Sequence, residues 1–196
     1  MAGKQPNSRK MCVFSPLQWM PVQNAEGPHL RNHSGMCIGD CLYVHGGVAS
    51  NDTSGRDVSN GLYRIRISPS VGEWVDLTSG DSPSLSQHAC FGILDRYIAF
   101  VGGWNGQARI PGVHTYDTAS NRWLPAALSE PLLKGFPSGA GLSAHTVIAM
   151  KPSGPKNLPT ALIIGREGSL RTQRKAGNVY LLYSELARSM FTPAVQ

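Results

Sequence analysis

The chain has 196 residues, 41% of them hydrophobic, and its 18 Lys and Arg against 12 Asp and Glu give a formal net charge of +6. Its apolar runs fall far short of the ~18 residues that a membrane-spanning helix needs, and Met1 to Trp19 lacks the apolar centre of a signal peptide. We therefore expect no membrane segment and an intracellular protein, cytoplasmic or nuclear. The 22 glycines and 14 prolines are typical of many short strands joined by turns.

Taken in order, the chain divides into five segments. They are a disordered basic tail at 1–13, an isolated outer strand at 14–28, and three repeats at 29–80, 81–128 and 129–196. The first repeat opens with two predicted strands, Asn32 to Ile38 and Leu42 to His45, joined by a tight turn at Gly39-Asp40. At the matching turn, the third repeat carries a Pro-rich insertion from Lys151 to Pro159.

The same landmarks recur in each repeat: a His, an apolar strand that ends in glycine, a Tyr and a further aromatic residue. They are His33, Gly46, Gly47, Tyr63 and Trp74; His88, Gly102, Gly103, Tyr116 and Trp123; and His145, Gly165, Tyr180 and Phe191. The histidines are 55 (88 − 33) and 57 (145 − 88) residues apart. A terminal glycine permits a close backbone approach that a Cβ would block. The pattern therefore predicts stacked sheets of four strands, with these landmarks in structural roles.

This ordered set resembles the kelch repeat. The residues that carry the resemblance are VGGWNG at 101–106, YDTASNRW at 116–123, GLSAHT at 141–146 and GREGSLRTQRKAGNVYLL at 165–182. The general kelch pattern covers about residues 29–192. It implies an all-β fold, a kelch-type β-propeller with about three four-stranded blades, and loops on one rim that bind a protein partner.

Three blades do not close a ring of ordinary curvature, because closed propellers have about 4 to 8 blades. We therefore expect an open half-propeller: a truncated isoform, a fragment, or one half of a dimer. In closed kelch propellers an N-terminal strand such as 14–28 completes the last blade. An open stack leaves blade faces uncovered, and these faces are candidates for self-association.

Catalytic and metal chemistry are not predicted, and we expect no cofactor. His29, His33, Cys37 and Cys41 recur at every fourth residue, but a strand would spread His29 and Cys37 over roughly 26 Å. The landmark histidines occupy equivalent positions in three repeats, whereas a catalytic site needs one set of unlike groups. Among enzymes, the alternative is a kelch-like oxidase with copper in the propeller.

Basic loops suggest where a partner binds. In an up-and-down blade, the loop after the second strand and the connection to the next blade open on the same rim. That rim would collect Arg56, Trp104, Arg109, Arg166, Arg171, Arg174 and Lys175. Arginine suits two-pronged capture of carboxylates or phosphates, so these residues are the candidate contacts for a protein partner whose identity the sequence does not give, and acidic protein segments would fit them.

Two other binding functions stay open. Some kelch propellers act as substrate receptors of ubiquitin ligases, which is an analogy at the level of the fold. Nucleic acid is a further candidate because of the net charge. The basic residues are nevertheless scattered, without the interleaved aromatic residues of a single-strand reader, which disfavours nucleic acid.

Overall fold

The computed structural model describes residues 26–125, 141–153, 158–167 and 179–183, and these residues form strands and no helix. The strands are β1 (Leu30–Arg31), β2 (Ser34–Ile38), β3 (Cys41–His45), β4 (Val48–Ala49), β5 (Leu62–Arg66), β6 (Val75–Asp76), β7 (Ala89–Ile93), β8 (Tyr97–Val101), β9 (Val113–Asp117), β10 (Arg122–Trp123), β11 (Leu142–Ser153), β12 (Leu158–Glu167) and β13 (Val179–Tyr183). The described part of the chain has no helix of the length and hydrophobicity needed to cross a bilayer.

Eleven of the thirteen described strands form three antiparallel sheets, the blades, which follow one another along the chain. The strand order is β2-β3-β5-β6 in the first blade, β7-β8-β9-β10 in the second and β11-β12-β13 in the third. A small sheet pairs β1 with β4. The expected all-β blade architecture is therefore confirmed, and the three described sheets do not close into a ring. The tail, residues 14–25 of the predicted isolated strand and Phe191 lie outside the described residues, and residues 26–28 are not in a strand.

The turns explain the spacing of the first two strands in each blade. Ile38 pairs with Cys41, so Gly39 and Asp40 form a two-residue turn in which Gly39 has a positive φ of 53°. In the third blade, β11 runs to Ser153 and β12 begins at Leu158. The Pro-rich insertion from Lys151 to Pro159 therefore does more than widen the turn, because its first three residues extend β11 and its last two begin β12.

Two apolar clusters hold the blades together. The first lies between the first and second blades and includes Ile38, Tyr43, Leu62, Ile98, Phe100 and Tyr116. The second lies between the second and third blades and includes Phe91, Tyr97, Val101, Val113, Leu142 and Ile163. All five residues of β8 are buried, because this strand has a neighbouring blade on each face. Burial on both faces accounts for its continuous apolar sequence.

Candidate partner-binding cleft

A short segment links the blades at their inner ends; it precedes the first strand in the first and second blades and forms the start of β11 in the third. These segments are Leu30 to His33, Leu85 to His88 and Leu142 to His145. The third residue of each has left-handed backbone, with φ of 58° at Asn32, 54° at Gln87 and 52° at Ala144. The Gln87 N–H donates to the Asn32 carbonyl at 2.8 Å, and the Ala144 N–H donates to the Gln87 carbonyl at 2.8 Å. One continuous backbone ladder therefore crosses all three blades.

The glycine landmarks receive these segments. Gly47 N–H donates to the Leu85 carbonyl at 2.8 Å, and Gly103 N–H donates to the Leu142 carbonyl at 2.7 Å. A Cβ on Gly46 would overlap the Leu85 carbonyl oxygen, and a Cβ on Gly165 would overlap the His145 side chain. Glycine is required here because neighbouring backbone fills the space that a side chain would occupy.

The landmark histidines are not equivalent in their surroundings. His33 is exposed, with Nδ1 3.1 Å from the Leu30 carbonyl oxygen. His88 is buried, and its Nε2 lies 3.1 Å from Nδ1 of His45, which is fully buried. Burial lowers the pKa of His45 to about 3 and that of His88 well below its usual value, with the nearby His45 as a second cause. Burial also lowers the pKa of the half-buried His145 to about 4.

Aromatic rings surround the buried histidine pair. The ring of His45 lies 4.6 Å from that of Phe100 and 5.2 Å from that of Trp123, centroid to centroid. Trp123 also packs on Tyr116, and its indole N–H donates to the Ser82 hydroxyl at 2.9 Å. Burying a charged imidazole among these rings would cost free energy, so His45 and His88 are neutral and contribute packing contacts between the first two blades.

A polar cleft of about 90 Å³ lies where the three inner segments meet loops of the first two blades. Its lining includes Arg31, Ser86, Trp104, Arg109 and Ser143. The remaining lining residues are Asn32, Val48, Thr53, Ser54, Gly55, Gln87 and Ala144. Two arginines and no carboxylate line the cleft, so it favours an anionic group.

The walls of the cleft differ in how firmly they are held. Arg109 is only 5% exposed, and its Nε donates to the Ser143 hydroxyl at 2.7 Å. Trp104 is half-buried and exchanges backbone hydrogen bonds with Ser86 at 2.7 and 2.9 Å. Arg31 is half-buried and lies in β1.

The structure brings together part of the predicted rim. Trp104 and Arg109 line the cleft, although the burial of Arg109 leaves it little surface for a partner. Arg56 is exposed directly after the lining residue Gly55, and its carbonyl oxygen packs so closely on Gly106 that a Cβ there would lie 2.7 Å away. Arg166 lies in β12 opposite Ser143. The predicted residues Arg171, Arg174 and Lys175 fall outside the described residues.

Sequence reasoning missed Arg31, Ser86 and Ser143. Each of them lies two residues before a landmark histidine, so their equivalent positions in the three repeats could have indicated that they meet. It also missed the buried contact of His45 with His88, because in the sequence His45 is simply the last residue of an apolar strand. No group of three or more His, Cys, Asp or Glu side chains in the described ranges is arranged to hold a metal ion.

Repeated antiparallel sheets joined through their inner ends and apolar faces define a protein of the β-propeller class. No family model matches the chain. It is 32% identical over 189 residues to Kelch domain-containing protein 9 of Mus musculus, covering 93% of this chain and 47% of that protein. The human protein of the same name is 30% identical over 164 residues, covering 84% and 43%. The chain belongs to the kelch-repeat family.

The chain spans about half the length of these curated relatives. Among solved structures, one titled "Structure of YjhT" has a TM-score of 0.47 at 16% identity, covering 71% of this chain and 35% of that one. A likeness at this level does not bear on function.

Proposed function

We propose that the chain is a non-enzymatic protein-interaction module that binds an acidic segment of a protein partner at the cleft. The observation that carries this proposal is the lining of the cleft, which combines Arg31, Arg109 and Trp104 with no carboxylate. Membership of the kelch family supports an interaction scaffold in general. The division into repeats at 29–80, 81–128 and 129–196 belongs to the same proposal.

The lining residues take different parts in binding. Arg31 offers the guanidinium with more exposed surface, whereas Arg109 is held by Ser143 and contributes mainly a fixed positive charge. Trp104 supplies a flat apolar surface beside the charge, and aromatic and arginine residues are enriched where interfaces gain most of their free energy. Arg56, Arg166, Arg171, Arg174 and Lys175 would extend the positive surface along the rim.

A library of acidic peptides, each with a matched Glu→Gln and Asp→Asn version, tests this function. We expect the protein to select acidic peptides over their amide versions. Arg31→Glu should weaken the selected binding more than tenfold, and Trp104→Ala should weaken it less. Arg122→Glu is the control, because Arg122 is exposed in β10 and does not line the cleft. Equal binding of acidic and amide peptides would contradict the proposal.

Of the three alternatives, a ubiquitin-ligase substrate receptor would also bind a protein partner, whereas nucleic-acid binding and copper-dependent oxidation give different results with the same purified protein. A nucleic-acid binder would hold single-stranded oligonucleotides with an affinity that falls steeply with salt, and Arg31→Glu would affect all sequences alike. A copper oxidase would carry stoichiometric metal after purification.

A further inference from the structure

The cleft contains more hydrogen-bond donors than the described residues use. Arg31 is half-buried, and its guanidinium makes no hydrogen bond or ion pair within the described ranges. The hydroxyl of the exposed lining residue Thr53 is likewise unbonded within those ranges. A guanidinium carries five N–H groups and a hydroxyl carries one O–H, so both side chains can donate to a bound group.

Two buried serines add donors at the bottom of the cleft. Ser143 is 3% exposed, and its oxygen accepts from Nε of Arg109, which leaves its own O–H able to donate. Ser86 is 2% exposed, and its hydroxyl lies 3.4 Å from the Trp104 carbonyl oxygen, which is too long for a good hydrogen bond. A buried hydroxyl without a good partner costs free energy, so an acceptor in the cleft would stabilise both serines.

The carboxylate next to the lining does not take up this donor capacity. Asp52 precedes Thr53 in the chain, and its Oδ1 accepts from the N–H and the hydroxyl of Ser54 at 2.8 and 2.7 Å. Its own loop therefore holds the Asp52 carboxylate, and the positive charge of Arg31 is left for a ligand.

The donors come from three repeats, which distinguishes a phosphate from a carboxylate. Arg31 and Thr53 belong to the first repeat, Ser86 to the second and Ser143 to the third. A carboxylate has two oxygens in one plane, and a single guanidinium can occupy both through a two-pronged contact. A phosphate ester has three terminal oxygens that point in different directions, so it can accept from a guanidinium and from hydroxyls on other sides. The cleft of about 90 Å³ exceeds the ~30 Å³ share of one water, so a group of several heavy atoms fits.

We propose that the anionic group that enters the cleft is a phosphate ester on a side chain of the partner segment. Arg31 makes the two-pronged contact, and Thr53, Ser86 and Ser143 donate to the remaining oxygens. A phosphate ester carries about −1.5 to −2 charges at pH 7, so it gains more from the positive cleft than a carboxylate does. The inference rests on the proposed function and adds that phosphorylation of the partner switches binding on.

Peptides that differ at one position test the inference on wild-type protein. Acidic peptides with a central phosphoserine are compared, by fluorescence anisotropy, with the same peptides carrying Glu or Ser at that position. The phosphoserine peptides should bind at least about tenfold more tightly than the Glu peptides, because each added hydrogen bond to a charged group contributes about that factor. Equal binding of phosphoserine and Glu peptides would overturn the inference and leave the proposed function intact. Absence of binding by every peptide would overturn both.

Two further ligands identify the source of the phosphate. Inorganic phosphate should compete with the phosphoserine peptide only at millimolar concentration, because it makes no contact with the apolar surface of Trp104. Competition at the concentration of the peptide itself would show a site for free anions and overturn the inference. Tighter binding to vesicles containing a phosphorylated inositol lipid than to the phosphoserine peptide would overturn it as well.

A conservative variant and the phosphate itself report whether the group lies in the cleft. Thr53→Val keeps the shape of the side chain and removes one donor, so the preference for phosphoserine over Glu should fall severalfold. Arg122→Lys is the control, because Arg122 is exposed and does not line the cleft. In ³¹P NMR of the wild-type complex, the pKa of the phosphate should fall on binding, since Arg31 favours the dianion. An unchanged preference in Thr53→Val together with an unchanged phosphate pKa would overturn the inference.

Discussion

Nδ1 of His45 lies 3.1 Å from Nε2 of His88, although the two residues belong to different blades. His45 ends the second strand of the first blade, and His88 immediately precedes the first strand of the second blade. One imidazole must donate and the other accept, so the contact needs at least one neutral ring. The burial of both rings favours the neutral form of each, which makes this joint sensitive to acid.

Lowering the pH from 7 to 5 should destabilise the fold through its buried histidines. Their pKa values lie below the usual 6.5 in the folded state, with His45 at about 3 and His145 at about 4. The unfolded chain therefore binds more protons below pH 6.5, and stability falls as pH falls. Each such histidine contributes about 1.4 kcal/mol per pH unit once pH is well below 6.5. Urea unfolding between pH 7.5 and 5 measures the slope.

Replacing His88 gives the decisive comparison for that slope. His88→Gln should reduce the pH dependence, whatever it does to stability at pH 7.5. His29→Gln is the control, because the His29 side chain is 76% exposed. Asp117, whose pKa is lowered to about 2, titrates in the folded state below this range. An unchanged slope in His88→Gln would show that this histidine is not the cause.

Removing the Trp123 side chain should loosen the joint between the first two blades. Trp123→Phe keeps ring contacts with Phe100 and Tyr116 but loses the hydrogen bond to Ser82, which we expect to cost about 1 kcal/mol. Trp123→Ala should cost about 3 kcal/mol, as aromatic-to-alanine changes in cores do. Unfolding by denaturant measures both. Equal losses in the two variants would mean that the ring contacts contribute little.

The sequence predicted the strands well because their signals are local. Alternating residues and terminal glycines determine where a strand runs and ends, and both can be seen within one repeat. The cleft depends on long-range contact, since Arg31, Ser86 and Ser143 lie far apart in the chain and meet only at the inner ends of three blades. A charged residue suggests an exposed side chain. Arg56 is exposed, but Arg109 is buried beside Ser143, which its charge alone does not indicate.

Neutralising Asp117 should weaken the second blade at the end of β9. Both carboxylate oxygens accept from Arg96, at 2.8 and 2.7 Å, and the Ala119 N–H and Ser120 hydroxyl also donate to this side chain. Asp117→Asn keeps the shape but loses the charge that these donors favour, so we expect a loss of about 1 to 2 kcal/mol. Chemical unfolding measures this loss, with the exposed Asp81→Asn as control. A loss no larger than that of the control would contradict this account.

Gly46 and Gly55 separate backbone strain from crowding, because both have a φ of 66°. A Cβ on Gly55 would have no neighbour within 4 Å, whereas one on Gly46 would overlap the Leu85 carbonyl oxygen of the next blade's inner segment. Gly55→Ala should therefore cost only the left-handed backbone term, about 1 to 2 kcal/mol. Gly46→Ala should cost at least about 2 kcal/mol more, because it forces the first two blades apart. Urea unfolding of both variants measures the difference, and equal losses would show that the glycine is needed only for its backbone angle.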